Sequence, residues 1–199
     1  MDARCTLNLY KNKKMMKLLS LLIIVISLSS GVFAQGEKIN WMTVEEVEVL
    51  QKQEPRKVLM DVYTTWCGPC KMMMKNTFTN KNVIDYVNAN FYAVKFDAES
   101  GKDVNFKGNT YTNPSFVPGK QGRKGQHQFA QALGVNSYPT IIYMDEEMNV
   151  IAPIKGYQTP DKIELYLKLF AENIYLEVMS QEEFQKFQSN FKPTFHLSN

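Results

Sequence analysis

Apolar residues recur at different spacings along this chain, and the switches between spacings mark its elements. Val44, Val47 and Leu50 stand one helical turn apart behind Thr43-x-x-Glu46, a capping box that satisfies orphan backbone N–H groups, so a helix is predicted from Thr43 to Gln53. Val58 to Tyr63 is a β-rich run with one acidic residue, Asp61, inside it. A turn and a helix to about Lys75 follow, then a second helical piece from Lys81 to Val87 and a strand from Phe91 to Asp97. Gln126 to Leu133 reads as a short helix stopped by Gly134, and Thr140 to Met144 as a strand. After the polar turn Asp145 to Asn149, Val150 to Lys155 can pair back antiparallel, with Pro153 pointing to a sheet edge because it has no N–H to give a ladder. Thr159-Pro160 then starts a helix reaching about Ala171. The order is βαβ followed by ββα, an α/β domain.

Two segments fall outside that order. Residues 100–125 form an insert rich in Gly, Asn, Pro and Lys, with five basic residues against one acidic. Within it Phe106 to Thr110 is predicted to turn a small hairpin, and Asn113 to Gly125 an irregular loop. The insert is either a solvated basic excursion or a flap beside the functional site that shapes partner choice. The second segment is a C-terminal extension over 173–199, where Ser180-x-x-Glu183 starts a helix with Phe184, Phe187 and Phe191 spaced to dock on the domain.

The N-terminal part changes how the charge is read. Lys11, Lys13, Lys14 and Lys17 precede an apolar run from Leu18 to Leu28 that ends in Val32-Phe33-Ala34. This pattern predicts a secretory signal peptide over 1–34 with cleavage after Ala34. Met15 and Met16 are better starts than Met1, which would leave 1–14 upstream and Cys5 outside the mature chain. The run is shorter than a bilayer span of about 20 residues, so an uncleaved anchor in the inner membrane is the alternative. Removing five basic and one acidic residue from 23 and 20 leaves 18 and 19, turning a formal charge of +3 into −1. No clustered basic and stacking footprint for nucleic acid remains. The mature 35–199 fits one domain with one core.

Candidate chemistry concentrates in Trp66-Cys67-Gly68-Pro69-Cys70. Two cysteines three positions apart can pass between dithiol and disulfide. Cys67, opening a helix, would sit where unpaired N–H groups favour a thiolate, and Pro69 suits the first turn because its missing N–H would have no partner there. A zinc site needs four ligands, and Cys5, His127 and His196 do not supply them at ligand spacing, so no metal is assigned. A structural staple is the remaining bland reading, and a two-residue loop constrains an unfolded chain little. Met72, Met73 and Met74 raise soft-metal binding, but consecutive helical residues point to different faces, and core filling is the expectation. His127 reads as a surface or capping side chain.

WCGPC at Trp66 to Cys70, an acidic residue six positions before the first cysteine at Asp61, and Tyr138-Pro139-Thr140 opening a strand together resemble the thioredoxin superfamily over about Ile39 to Ala171. Lys71-Met72, Phe78, Val83, Asn90-Phe91 and Lys95-x-Asp97 resemble periplasmic thioredoxin-like proteins and the soluble thiol-reductase domain of DsbD. The resemblance implies a central mixed sheet flanked by helices, a cis-proline at Pro139, and a groove glycine at Gly156. It implies no cofactor beyond a redox-active Cys67–Cys70 disulfide. Cys67 would attack a client disulfide and Cys70 resolve the mixed disulfide, with Asp61, desolvated among Leu59, Met60 and Val62, taking the Cys70 proton. Trp66 would shield the pair, and the backbone of Tyr138 would meet an extended client. The implied partners are disulfide-containing exported proteins and a membrane thiol electron donor, with membrane contact only through that donor or the signal peptide. An oxidase, an isomerase, or a non-catalytic binding or chaperone module are the alternatives. Two departures stand out: Lys75 replaces the proline that kinks the active-site helix, and Ala93 stands where relatives carry a buried lysine, leaving Lys95 one strand step away.

Overall fold

A computed structural model of the protein describes residues 38–196 apart from 121, 122 and 124, all within the unit Gly36–Asn199. The predicted signal peptide, its expected cleavage point, the alternative start and Cys5 lie outside the described residues. The elements are β1 (Trp41–Met42), α1 (Val44–Gln51), β2 (Lys57–Tyr63), α2 (Gly68–Asn76), α3 (Lys81–Asn90), β3 (Phe91–Asp97), β4 (Val104–Phe106), β5 (Asn109–Tyr111), α4 (Gln128–Ala132), β6 (Thr140–Met144), β7 (Val150–Lys155), α5 (Pro160–Ala171), a 3-10 turn (Ile174–Leu176) and α6 (Gln181–Asn190). β1, at two residues, is too short to carry a period and was not predicted.

Five strands form a mixed sheet in the order β1-β3-β2-β6-β7. β1 and β2 run parallel to β3, β6 runs antiparallel to β2, and β7 antiparallel to β6. The central strands β2 and β6 are buried nearly throughout, as continuous apolar runs require, whereas β7 is an edge and tolerates Pro153 opposite Ile142. Side-chain alternation splits the core. Leu59, Ile141 and Tyr143 pack under α2, α3 and α5 with Met73, Val83, Ile163 and Phe170. Met60, Val62, Ile142 and Met144 pack on the other face against Val44 and Val47 of α1 and Phe129 of α4. This is the α/β arrangement expected, with helices on both faces and a helical C-terminal extension. Among the described residues no helix is long and apolar enough to cross a membrane.

The insert and the extension show where pattern reading stopped. β4 and β5 make the predicted hairpin around Lys107-Gly108, both at positive φ, and it docks on α1 through Asn105 N–H to Glu45 and Lys107 N–H to Glu48. In the extension, Ser180 and Glu183 form their capping box, but α6 buries none of its residues; Phe184 stacks on Tyr166 at 6.3 Å and Phe187 is half-buried. The firm anchor is Glu164 of α5. Its buried carboxylate accepts the N–H groups of Thr194 at 2.6 Å and Phe195 at 2.7 Å and the Thr194 hydroxyl at 2.7 Å, and pairs with Lys168 at 2.6 Å. Asn80, the N-cap of α3, donates to His196 O at 2.7 Å, so the tail ties α3 to α5.

Candidate active site

Cys67 ends the loop after β2 and is the N-cap of α2, its Sγ accepting the Cys70 N–H at 3.1 Å. A sulfur held on the first turn of a helix sees its positive end, which favours the thiolate once the bond is reduced. Cys67 and Cys70 are joined as a disulfide, each 3% exposed, while Gly68 and Pro69 between them are exposed and form the tip of the turn. Pro69 occupies the first turn, as expected.

Asp61 lies on β2, on the face covered by α2, and is 1% exposed. Its Oδ1 has no hydrogen-bond partner among the described residues. Burial pushes its carboxyl up to about 7, against the opposing pull of the Lys95 ammonium. Ala93 stands at the position where relatives carry a buried lysine. The β2–β3 register places Lys95 directly opposite Asp61 on the same face, so a lysine two residues along supplies the charge. Its ammonium also lies 4.9 Å from the Tyr63 ring centroid and 3.1 Å from Met74 Sδ.

Trp66 is held from three directions. Its indole N–H donates to Glu99 at 2.9 Å, its ring meets that of Tyr138 edge-on at 6.0 Å, and the Arg123 guanidinium lies 4.8 Å over it. Sequence reasoning singled out neither Glu99 nor Arg123. Both partnerships cross long loops, and no local spacing signals them. The Tyr138–Pro139 peptide is cis, and the Tyr138 hydroxyl accepts from Gln126 at 3.1 Å. Gly156, at φ +84°, donates its N–H to Pro139 O at 2.8 Å, which places it beside the cis-proline at the end of β7.

Two side readings are corrected in part. Met73 alone of the three methionines is fully buried; Met72 is 50% exposed. His127 caps α4 through Nδ1, as one reading had it, yet it is fully buried: Nε2 pairs with Lys102 O at 3.0 Å and the ring stands edge-on to Phe96, because the insert covers it.

The thioredoxin-like domain pattern matches residues 44–171, most of the chain. The chain belongs to the thioredoxin-like family. Mitochondrial thioredoxin-3 of Saccharomyces cerevisiae is 37% identical over 67 residues, 34% of this chain and 50% of that protein, so the chain spans about half the length of that relative. Thiol-disulfide oxidoreductase ResA of Bacillus thuringiensis is 25% identical over 173 residues, 79% of this chain and 96% of that one. A thioredoxin-fold protein from Helicobacter pylori superposes with a TM-score of 0.53 at 17% identity, covering 80% of this chain and 91% of that structure, which supports the fold. In this thioredoxin-like chain the redox group is the Cys67–Cys70 disulfide itself, and its chemistry is thiol-disulfide exchange.

Proposed function

We propose that this protein is an exported thiol-disulfide oxidoreductase that reduces disulfides in periplasmic client proteins, fed by a thiol donor in the membrane. The observation that carries the reading is a CGPC pair at a helix N-terminus on the sheet face that buries Asp61, with the tyrosine of the cis Tyr138–Pro139 peptide meeting the tryptophan beside it. The ResA relative, a thiol-disulfide oxidoreductase matched over most of both chains, supports it. In the reductive half-reaction the Cys67 thiolate attacks one client sulfur, the client disulfide breaks, and a client thiolate leaves. Cys70 gives its proton to Asp61, directly or through water, and attacks the Cys67 sulfur. The enzyme disulfide forms, the second client thiolate leaves, and two electrons have passed to the client. The client lies extended along the Tyr138 backbone beside Pro139. Gly156 shapes the far side of that groove. The basic and apolar pattern of residues 1–34 supports export.

The equilibrium potential of the Cys67–Cys70 pair tests direction. Titrated against glutathione and dithiothreitol buffers and read by alkylation, a midpoint near the roughly −270 mV of thioredoxin supports reduction, and one near the roughly −120 mV of DsbA makes the protein an oxidant. Absence of a reversible transition would leave a binding module.

A further inference from the structure

The described residues between β3 and α4 fold back onto the domain. A Cβ on Gly101 would stand 2.4 Å from the Phe116 ring, so only glycine admits that ring. Asn113 closes the neck, its amide donating to Ser100 O and Gly125 O, both at 3.0 Å. Gly125, at φ +90°, passes so close to Ser115 that a Cβ would lie 2.4 Å from the serine's own. The loop held this way returns Arg123 to the face of Trp66, next in sequence to Cys67.

The Arg123 guanidinium carbon lies 4.8 Å from the centroid of the Trp66 ring, and among the described residues none forms a hydrogen bond or ion pair with its N–H groups. Arg123 is exposed, and among the described residues no carboxylate lies within salt-bridge distance of it. Lys102 and Lys120 of the same segment are exposed as well. We propose that Arg123 is a specificity residue that reads an acidic side chain flanking the disulfide of the client. A guanidinium lying on an indole keeps its planar fork of donors, which fits a carboxylate, and has already surrendered much of its side-chain freedom before a client arrives. Glu99 fixes the opposite, N–H edge of the same indole, so the cation is set at a constant place beside the CGPC turn. A lysine-flanked client meets like charge at that point. The inference rests on the exchange chemistry proposed above but not on its direction, since one groove serves both.

The test uses two synthetic peptides, each with one intramolecular disulfide, flanked by glutamates in one and lysines in the other. Exchange rates are measured both ways: reduced enzyme on peptide disulfide, and oxidised enzyme on peptide dithiol. The expected ratio of kcat/KM, glutamate over lysine, is about fivefold at low salt, shrinking as salt is added. It falls towards one in Arg123→Ala, persists in part in Arg123→Lys and inverts in Arg123→Glu. With peptides matched in potential the preference is expected in both directions, and a Cys67–Cys70 midpoint near the roughly −120 mV of DsbA would sink the reductase reading while keeping the role of Arg123. A ratio of one in both directions in the wild type, or an unchanged ratio in Arg123→Glu, overturns the proposal.

Discussion

Asp61 on β2 and Glu164 on α5 are both buried carboxylates, yet their protons behave in opposite ways. Burial raises both. At Glu164, bonds from Lys168, Thr194 and Phe195 outweigh burial and hold the carboxyl below its ordinary range. Asp61 has, among the described residues, the Lys95 charge across one strand and an Oδ1 without a hydrogen-bond partner, and its carboxyl is pushed up to about 7. The difference teaches that partners rather than depth decide what a buried acid does. Surrounded by donors it is a structural bolt; left short of donors it stores a proton where a reaction can use it.

Removing the bolt has the largest expected effect. Glu164→Ala orphans two backbone N–H groups, removes the ion pair of the partly exposed Lys168, and is expected to cost about 4 kcal/mol in urea denaturation. The folded pKa of Glu164 is lowered, so its stabilisation is present above the unfolded value and lost as pH falls through the folded one. The tail is therefore expected to loosen in acid, with hydrogen exchange at Thr194 and Phe195 rising first. The opposite change at the active site has the opposite sign. Asp61 binds its proton more tightly folded than unfolded, so wild-type stability falls as pH rises from about 4 to about 7 and levels off above. Asp61→Asn abolishes that fall and gains roughly 3 kcal/mol at pH 8, with little change at pH 4. It also removes the rise in mixed-disulfide resolution rate through pH 7 that stopped-flow quenching would follow in the wild type. If both variants were destabilised alike at pH 8, the contrast between bolt and proton store would collapse.

What the sequence made legible was local. Thr43-x-x-Glu46 and Ser180-x-x-Glu183 announced their helices because a capping box is complete within four residues. Asp61 was readable because a charge amid Leu59, Met60 and Val62 has no polar face to turn to. Glu164, between Ile163 and Leu165 on a helix, passes for an ordinary solvated position; its tail partners stand 30 and 31 residues away. Glu99, 33 residues from Trp66, was hidden by the same distance, and the landing point of Arg123 depends on the path of a glycine-rich loop. His127 looked exposed because the insert that buries it carries no period of its own.

The smallest expected effect sharpens the comparison most finely, because it moves Asp61 without touching it. Among the described residues, the Lys95 charge holds the Asp61 carboxyl down against burial. Lys95→Met keeps an unbranched apolar stem to pack beside Tyr63, Trp41 and Met74 and deletes the ammonium. The Asp61 carboxyl is then expected to titrate above its wild-type value of about 7, followed by carbon-13 NMR of the aspartate side chains. The pH at which resolution accelerates is expected to move up with it. A titration that stays in place would mean that depth alone sets the Asp61 proton, and that the strand register opposite Lys95 contributes geometry but no charge. A shift upward, with the fold intact, would show this chain tuning its acid from a lysine two residues beyond the position where the family resemblance leads one to look for it.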